Sequence, residues 1–369
     1  MNTQKKYLEN FKYNQSGGNI VWTARMTDDK RKWSSVASSA DGSKLVALVM
    51  SGYIHTSIDY GASWKPRMND RRRLWTSVAS SADGSKLVAV VMKGNIYTSV
   101  DSGENWTLCK TTSVYNNWSS VASSADGNKL VAVESDGVIW TSVDSGENWT
   151  PHEYTRSWHT VASSADGNKL VAGVRLGQIY TSVDSGENWK KYEEKRLWSD
   201  IASSVKGDKL VAVVYGGQIY TSTDSGVNWT ARESNRSWMS VASSADGSKL
   251  IACVRDGQIY ISVDSGENWT PYEIDRGWEY VASSADGSKL VAVEKAFSGG
   301  HIYTGNFIPT SGPLKVLSNT KVPIEPPLLS ISIMPSLVNN QEQGKFFGGY
   351  KGKYLKYKQK YLQLKNKQD

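Results

Sequence analysis

Short apolar runs separated by polar turns recur along most of this chain at a nearly constant spacing. Each unit reads W-x-x-V-A-S-S, a turn such as A-D-G-S-K, an apolar run such as L-V-A-V-V, a Gly-containing break, and an alternating run such as G-Q-I-Y-T-S-V-D. β-rich runs between Gly, Asp and Asn turns, without any helical 3.6-residue period, predict four antiparallel strands per unit. Successive units lie 42, 43, 40, 40, 40 and 40 residues apart, measured between Trp33, Trp75, Trp118, Trp158, Trp198, Trp238 and Trp278.

A four-stranded unit of about forty residues is the period of a propeller blade. The seven units therefore predict an all-β, seven-bladed β-propeller over residues 19–307. The seventh unit loses the pattern after Thr304, whereas residues 21–25 read V-W-T-A-R and match N-W-T-A-R at residues 228–232. We expect this N-terminal strand to complete the last blade and close the ring, which leaves no free sheet edge.

The string S-V-D-S-G-E-N-W occurs four times unchanged, starting at Ser99, Ser142, Ser182 and Ser262, with looser copies at Ser57 and Ser222. This S-x-D-x-G-x-x-W pattern resembles that of the Asp-box (BNR) propellers, which include sialidases, sortilin-type receptor domains and photosystem II assembly factors. The resemblance implies that the box forms the turn between the third and fourth strands, away from the active face.

The residue types in the box favour a structural role. An Asp side chain accepts backbone N–H bonds across its own turn, Gly supplies a left-handed conformation, and Trp packs between strands. The predicted structural residues are Asp59, Asp101, Asp144, Asp184, Asp224 and Asp264, with Trp64, Trp106, Trp149, Trp189, Trp229 and Trp269.

No metal or cofactor is predicted. The box oxygens would suit Ca²⁺, but the first copy has Tyr60, Ala62 and Ser63 at the variable places and no EF-hand spacing exists. The two cysteines, Cys109 and Cys253, occupy different positions of the repeat, so we expect reduced thiols and neither a disulfide framework nor a thiolate metal site.

Arg-x-Trp introduces six of the seven units, and only Asn116 breaks the pattern. Because the first strand of a blade is innermost, these arginines are candidates for a ring that binds a carboxylate, phosphate or sulfate group. A structural alternative, which we favour, is that each neutralises a local Glu or stacks on an indole. The arginines are Arg31, Arg73, Arg156, Arg196, Arg236 and Arg276, and the local acids are Glu153, Glu193, Glu233 and Glu273.

The loops between the second and third strands vary among otherwise near-identical blades, so this face is the one most free to specialise. Arg175, Tyr215 and Arg255 are its ligand-binding candidates. A sialidase would need one asymmetric pocket, with three arginines, a Tyr–Glu pair and an Asp contributed by different blades. The polar positions here are mostly repeated, the Phe-Arg-Ile-Pro motif is absent, and the four histidines occupy unrelated positions.

The sequence therefore favours a monomeric, non-enzymatic binding scaffold that recognises a protein or glycan partner through its variable loops. Two alternatives stay open. One is a sialidase-type glycan hydrolase, and the other is a nucleic-acid-associated protein that acts through its C-terminal tail.

The two ends of the chain differ from the repeats. Residues 1–18 form an N-terminal segment, residues 308–344 a Pro-rich linker, and residues 345–369 a basic tail with eight lysines and one acidic residue, which equals the whole net charge of +7. Tyrosines spaced by four and three residues predict an amphipathic helix that contacts a partner helix, an anionic membrane surface or nucleic acid. The tail residues concerned are Lys351, Lys353, Tyr354, Lys356, Tyr357, Lys358, Lys360 and Tyr361.

This tail, F-F-G-G-Y-K-G-K-Y-L-K-Y-K-Q-K-Y, also resembles tails found on otherwise unrelated proteins of giant DNA viruses related to mimivirus. The resemblance implies a place in the host cytoplasm, in a viral factory or in the virion. Without it, we expect a cytoplasmic protein, since the N-terminus shows no signal-peptide pattern.

Overall fold

The computed structural model describes residues 19–109, 116–295 and 299–308. All regular structure in these ranges is β-strand, which confirms the all-β prediction. No helix in this part of the chain is long and apolar enough to span a bilayer. The predictions for residues 1–18, the Pro-rich linker and the basic tail lie outside these ranges, except for Ile308, which ends the last strand.

The described residues form twenty-two strands, all paired antiparallel. They are β1 Asn19–Arg25, β2 Trp33–Ser38, β3 Leu45–Gly52, β4 Ile54–Ser57, β5 Lys65–Arg67, β6 Arg73–Ser80, β7 Leu87–Gly94, β8 Ile96–Ser99, β9 Thr107–Leu108, β10 Asn116–Ser123, β11 Leu130–Glu134, β12 Gly137–Ser142, β13 Thr150–Arg156, β14 Trp158–Ser163, β15 Leu170–Ser182, β16 Lys190–Ser203, β17 Leu210–Ser222, β18 Thr230–Ser243, β19 Leu250–Ser262, β20 Thr270–Ser283, β21 Lys289–Glu294 and β22 Ile302–Ile308.

Each repeat forms one four-stranded unit, numbered here as blades 1 to 7 in the order of their first-strand tryptophans. In blade 1, β2 pairs with β3, β3 with β4, and β4 with β5. From blade 4 onwards the second and third strands run together as one element, such as β15. The fourth strand similarly continues into the first strand of the next blade, as in β16. The propeller fold is thereby confirmed.

A closed ring of backbone hydrogen bonds joins the seven units. The residue after the second serine of each V-A-S-S string donates its N–H to the equivalent carbonyl of the next blade. The seven bonds measure 2.7 to 2.9 Å. The last of them runs from Ala285 in blade 7 to Ala40 in blade 1. The ring residues are Ala40, Ala82, Ala125, Ala165, Val205, Ala245 and Ala285.

The N-terminal strand closes the last blade, as the sequence predicts. β1 pairs with β22 over seven residues, from Asn19 opposite Ile308 to Arg25 opposite Ile302. The indole of Trp22 lies so close to Gly305 that an added Cβ there would sit 3.0 Å from the ring. β1 therefore supplies the fourth, outermost strand of blade 7, and β22 is paired on both sides.

The hydrophobic core lies between neighbouring blades. One cluster packs Leu48 and Ile54 of blade 1 against Trp75 of blade 2, and another packs Val293 of blade 7 against Trp33 of blade 1. All seven first-strand tryptophans are at most 1% exposed. Burying an indole contributes roughly 4 to 6 kcal/mol before conformational entropy is subtracted, so these contacts hold adjacent blades together.

We expect Trp22→Ala to lower the free energy of unfolding by about 2 kcal/mol, because it removes the partly buried indole that packs β1 on blade 7. Val21 is the matched control, since it is the neighbouring residue on the same strand and is 51% exposed. Val21→Ala should change stability by less than about 0.5 kcal/mol. Thermal unfolding of both variants measures the difference, and equal effects would contradict the role of β1 in closure.

Candidate binding face

The propeller has two chemically different ends. At one end, called the box end, the Asp-box turns meet the turns between first and second strands, as in the 2.8 Å bond from Ser102 N–H to the Ser85 carbonyl. At the other, called the tip face, the hairpin tips between second and third strands meet the Arg-x-Trp connections. There Arg175 donates its N–H to the Ser157 carbonyl at 2.8 Å. The sequence-predicted ligand candidates therefore all belong to the tip face.

The Asp box closes its own turn. The carboxylate of Asp101 accepts bonds from the Ser99 hydroxyl at 2.8 Å and the Asn105 N–H at 2.9 Å, and Trp106 Nε1 donates to the Gly103 carbonyl at 3.0 Å. Gly103 has a φ of +85°, and a Cβ there would lie 2.7 Å from the Thr56 methyl of the preceding blade. The same carboxylate bonds recur in all six boxes, at Asp59, Asp101, Asp144, Asp184, Asp224 and Asp264.

Hydrogen bonds keep the box carboxylates ionised. The side chain of Asn188 is the largest cause that lowers the pKa of Asp184 to about 2. The donors come from within the turn itself and all box carboxylates lie at the box end, away from the tip face. The described residues contain no group of three or more His, Cys, Asp or Glu side chains that would hold a metal ion.

Each Arg-x-Trp arginine of blades 2, 4, 5, 6 and 7 lies over two rings of its own blade. The Arg156 guanidinium carbon is 5.6 Å from the Trp158 ring centre and 4.8 Å from that of Tyr180, and Nε donates to the Tyr180 hydroxyl at 3.0 Å. The arrangement recurs at Arg73, Arg196, Arg236 and Arg276, with guanidinium-to-phenol distances of 4.6 to 5.3 Å.

Acidic partners complete several of these sites. Arg73 forms two bonds to Asp70 at 2.8 and 2.9 Å, and Arg236 lies 3.4 Å from Glu233. In blade 1 the rings are Trp33 and His55, and Arg31 instead contacts Asp28 at 2.8 and 3.2 Å. Glu233 is the one of the four predicted local acids whose side chain is described.

Blade 3, which lacks the arginine, replaces the whole arrangement. Asn116 stands at the arginine position, Trp140 at the tyrosine position, and Glu134 where blades 1, 2, 4, 5 and 6 have valine. Glu134 accepts hydrogen bonds from Trp140 Nε1 and from the Asn116 amide. Burial raises the pKa of Glu134. The arginines thus pack over the Trp–Tyr pair of their own blade. In blade 3, Asn116 and Glu134 take this place beside Trp140.

Two of the variable-loop candidates meet in a cluster across three blades. The Arg255 guanidinium carbon lies 5.8 Å from the ring centre of Tyr215 and Nη2 lies 3.2 Å from Glu279. Glu279 also accepts from Lys295 Nζ at 2.6 Å. This tip cluster, comprising Tyr215, Arg255, Glu279 and Lys295, joins blades 5, 6 and 7. Tyr215 and Arg255 remain 37% and 42% exposed.

Arg175, the third candidate, is exposed at the tip of blade 4 and has no ion pair within the described residues. The burial of the adjacent His159 lowers the pKa of that histidine, and the positive charge of Arg175 lowers it further. Four consecutive blades thus carry Arg175, Tyr215, Arg255 and Lys295 at equivalent tip positions, whereas blades 1 and 2 carry Met50 and Met92 there. The tip face is therefore asymmetric despite the repeat.

Below these tips lies a buried acid that the sequence analysis missed. Asp200 is 5% exposed, and one of its oxygens accepts bonds from Thr160 Oγ1 at 3.1 Å and the Ile201 N–H at 2.9 Å. The other accepts from Ser240 Oγ at 2.7 Å and the Val241 N–H at 3.1 Å. This Asp200 clamp connects blades 4, 5 and 6. Burial raises the pKa of Asp200 to about 6, against the opposing effect of its hydrogen bonds.

The signal for Asp200 was present in the repeat. The third residue of W-x-x-V is a serine in blades 1, 2, 3 and 6, where its hydroxyl accepts the N–H of the next blade's valine at 3.2 or 3.3 Å. Blades 4, 5 and 7 depart from serine, with Thr160, Asp200 and Tyr280. Burial raises the pKa of Tyr280 well above its usual value, and the charge of Asp200 adds to this rise. Departures at one inward-facing repeat position thus mark the asymmetric side of the ring.

A concave cavity lies at the box end. Serine, alanine and valine residues from all seven blades line a cavity of about 190 Å³, and no charged side chain lines it. The first lining serine of a blade donates its hydroxyl proton to the carbonyl of the next residue, as Ser80 does to Ser81 at 2.9 Å. The second donates to a carboxylate of the following turn, as Ser81 does to Asp83 at 2.6 Å. Because the lining is neutral and repeated, the cavity lacks the specialised groups that catalysis needs.

No family model and no curated protein matches the chain. Among solved structures, YCF48 from Cyanidioschyzon merolae is similar at 16% identity with a TM-score of 0.62, over 79% of this chain and 99% of that one. YCF48 bound to D1 peptide is 14% identical with a TM-score of 0.62, over 81% and 98%. A streptogramin B lyase is 12% identical with a TM-score of 0.66, over 79% and 98%. At these identities the likeness shows the β-propeller fold alone.

Replacing Asp200 by the serine that the repeat uses should stabilise the protein at neutral pH. Since the folded-state pKa is raised from 3.8 to about 6, the native state keeps the proton longer and stability falls as pH rises between these values. The full cost above pH 6 is about 3 kcal/mol, which Asp200→Ser removes. The melting temperature of Asp200→Ser, compared with wild type, should therefore gain more at about pH 7.5 than at about pH 4.5.

Asp208→Ser is the matched control, because hydrogen bonding to Ser204 lowers the pKa of Asp208. The melting temperature of Asp208→Ser, relative to wild type, should not rise as the pH rises. A pH-independent difference for Asp200→Ser would show that Asp200 does not titrate in this range.

Proposed function

We propose that this protein is a non-enzymatic binding scaffold that holds a segment of a partner protein on the tip face of blades 4 to 7. The observation that carries this proposal is the tip cluster, in which Tyr215, Arg255, Glu279 and Lys295 connect three blades that otherwise repeat one another. Repeated positions serve the ring, so the side chains that differ are the ones left to recognise a partner.

The chemistry of this arc favours an acidic segment. The arc carries the cations Arg175, Arg255 and Lys295, and the carboxylate of Glu279 is already shared between two of them. A guanidinium binds a carboxylate with two parallel hydrogen bonds, and an exposed tyrosine adds a rigid contact surface of low entropic cost. Most Arg-x-Trp arginines lie over aromatic rings of their own blade, so the variable tips are the better-placed contacts.

The comparison with a peptide-bound propeller supports a peptide segment as the partner. YCF48 bound to D1 peptide has a similar fold, so a propeller of this shape is able to hold a peptide. For this chain a protein partner remains a proposal, as does its place in a viral factory, the virion or the cytoplasm.

Peptides selected from a random phage-displayed library on the full-length protein test the proposal. We expect an enriched, acidic consensus. The double variant Arg175→Glu with Tyr215→Ser should weaken binding of the synthesised peptide at least about tenfold, measured by fluorescence polarisation. Lys93→Glu, at the tip of blade 2, makes the same charge change on the same face and should leave affinity within about twofold.

Failure of the library to yield a consensus, or equal binding to the double variant, would remove the tip face as the recognition site. Two further assays address the other functions. Hydrolysis of a fluorogenic sialoside would restore the sialidase alternative. Salt-sensitive binding of DNA or RNA that disappears when residues 345–369 are deleted would place function in the tail.

A further inference from the structure

The Asp200 clamp lies directly beneath the proposed binding arc. Its groups come from the first strands of blades 4, 5 and 6 and each bonds to the carboxylate. In blades 1 to 3 the equivalent serines make only one bond to the next blade. A single carboxylate therefore fixes three consecutive blades at the inner wall, on the side of the ring where the tips carry polar side chains.

The strand ladder links each member of the clamp to a hairpin tip. Every clamped first-strand residue pairs with a second-strand residue that lies two positions before its blade's tip. The sets are Thr160 with Gly173 before Arg175, Asp200 with Val213 before Tyr215, and Ser240 with Cys253 before Arg255. Movement of a first strand at this level therefore reaches the tip through one pair of backbone partners.

Two residues beside the clamp also depart from the repeat consensus. Gly173 stands where the other blades have a larger aliphatic residue or cysteine, and an added Cβ would lie 3.0 Å from the Thr160 methyl and 3.2 Å from Ile201. Cys253, fully buried, replaces an aliphatic residue in blade 6. Gly173 thus leaves room for the Thr160 methyl and the Ile201 side chain, the residues that bond to the carboxylate through Oγ1 and N–H.

The geometry points to Asp200 as a positioning residue that sets the arrangement of the tips of blades 4 to 6 according to its protonation. This inference rests on the proposed function of that face. The ionised carboxylate accepts all four bonds. A protonated one has to donate at one oxygen, which reverses the bond to Thr160 or Ser240, because the two backbone N–H groups are unable to accept.

Few other charges face the clamp. Burial raises the pKa of Cys253 on β19 and of Tyr280 on β20, and the negative charge of Asp200 raises both further. Both side chains therefore stay neutral near pH 6. Closer to the tips, His159 and Glu279 are further ionisable side chains, and burial lowers the pKa of His159. Both remain in an Asp200→Ser variant, which separates their contribution from that of Asp200.

Amide resonances of isotope-labelled full-length protein, followed through a pH titration, test the coupling without any ligand. We expect the amides of Ile201, Val241 and the tips at Arg175, Tyr215 and Arg255 to shift together, with a midpoint of about 6. The amides of Met50 and Met92 serve as internal controls on blades 1 and 2 and should not follow. Asp200→Ser should abolish the shared transition.

Affinity for the library-selected peptide gives the functional arm. The affinity of the wild-type protein for this peptide should change several-fold between about pH 5 and pH 7.5. The affinity of Asp200→Ser should not depend on pH in this range, because serine keeps the packing of the repeat. A pH-independent affinity, or an unchanged pH profile in the variant, overturns the coupling while leaving peptide binding intact. Shared titration of the tips without any peptide consensus supports the coupling and rejects the proposed function.

Discussion

The contact between the first strands of neighbouring blades is the interaction on which the rest of the molecule depends. There a buried serine hydroxyl, such as that of Ser35, accepts the N–H of the next blade's valine. The first-strand tryptophan is buried close by, and the ring of backbone hydrogen bonds lies at the end of the same strand. Because a blade buries its faces only against other blades, none of these contacts forms in an isolated unit. The blades therefore stabilise one another around the ring, and β1 completes the last of them.

The repeat made the fold predictable. Its spacing indicated four strands per blade, and the match between residues 21–25 and 228–232 located the closing strand before any geometry was known. The exact role of the arginines was less accessible, because Arg-x-Trp fits both a ligand ring and a cover for aromatic side chains. Only the position of Tyr180 on the third strand, close in space to Arg156, shows what the guanidinium contacts.

The candidate site was only partly visible for a physical reason. Glu279 and Lys295 are ordinary charged residues in the sequence, and their shared contact with Arg255 depends on packing between blades 6 and 7. Asp200 lies within a string whose other members are serine, threonine and tyrosine, so a search for groups of catalytic residues passes over it. In a repeat protein the informative residues are those that depart from the consensus at inward-facing positions, even singly.

A buried carboxylate without a cationic partner among the described residues is an expensive solution to a packing problem that serine solves elsewhere in the same ring. Its four donors compensate for much of the lost hydration, yet the raised pKa of Asp200 shows that burial outweighs them. The balance of these opposing effects places its titration close to neutral pH. A residue held so near its own transition responds to small changes in the surrounding strands, and those strands lead within two residues to the exposed tips. The asymmetry of the tip face and the asymmetry of the inner wall are therefore two parts of one departure from the repeat.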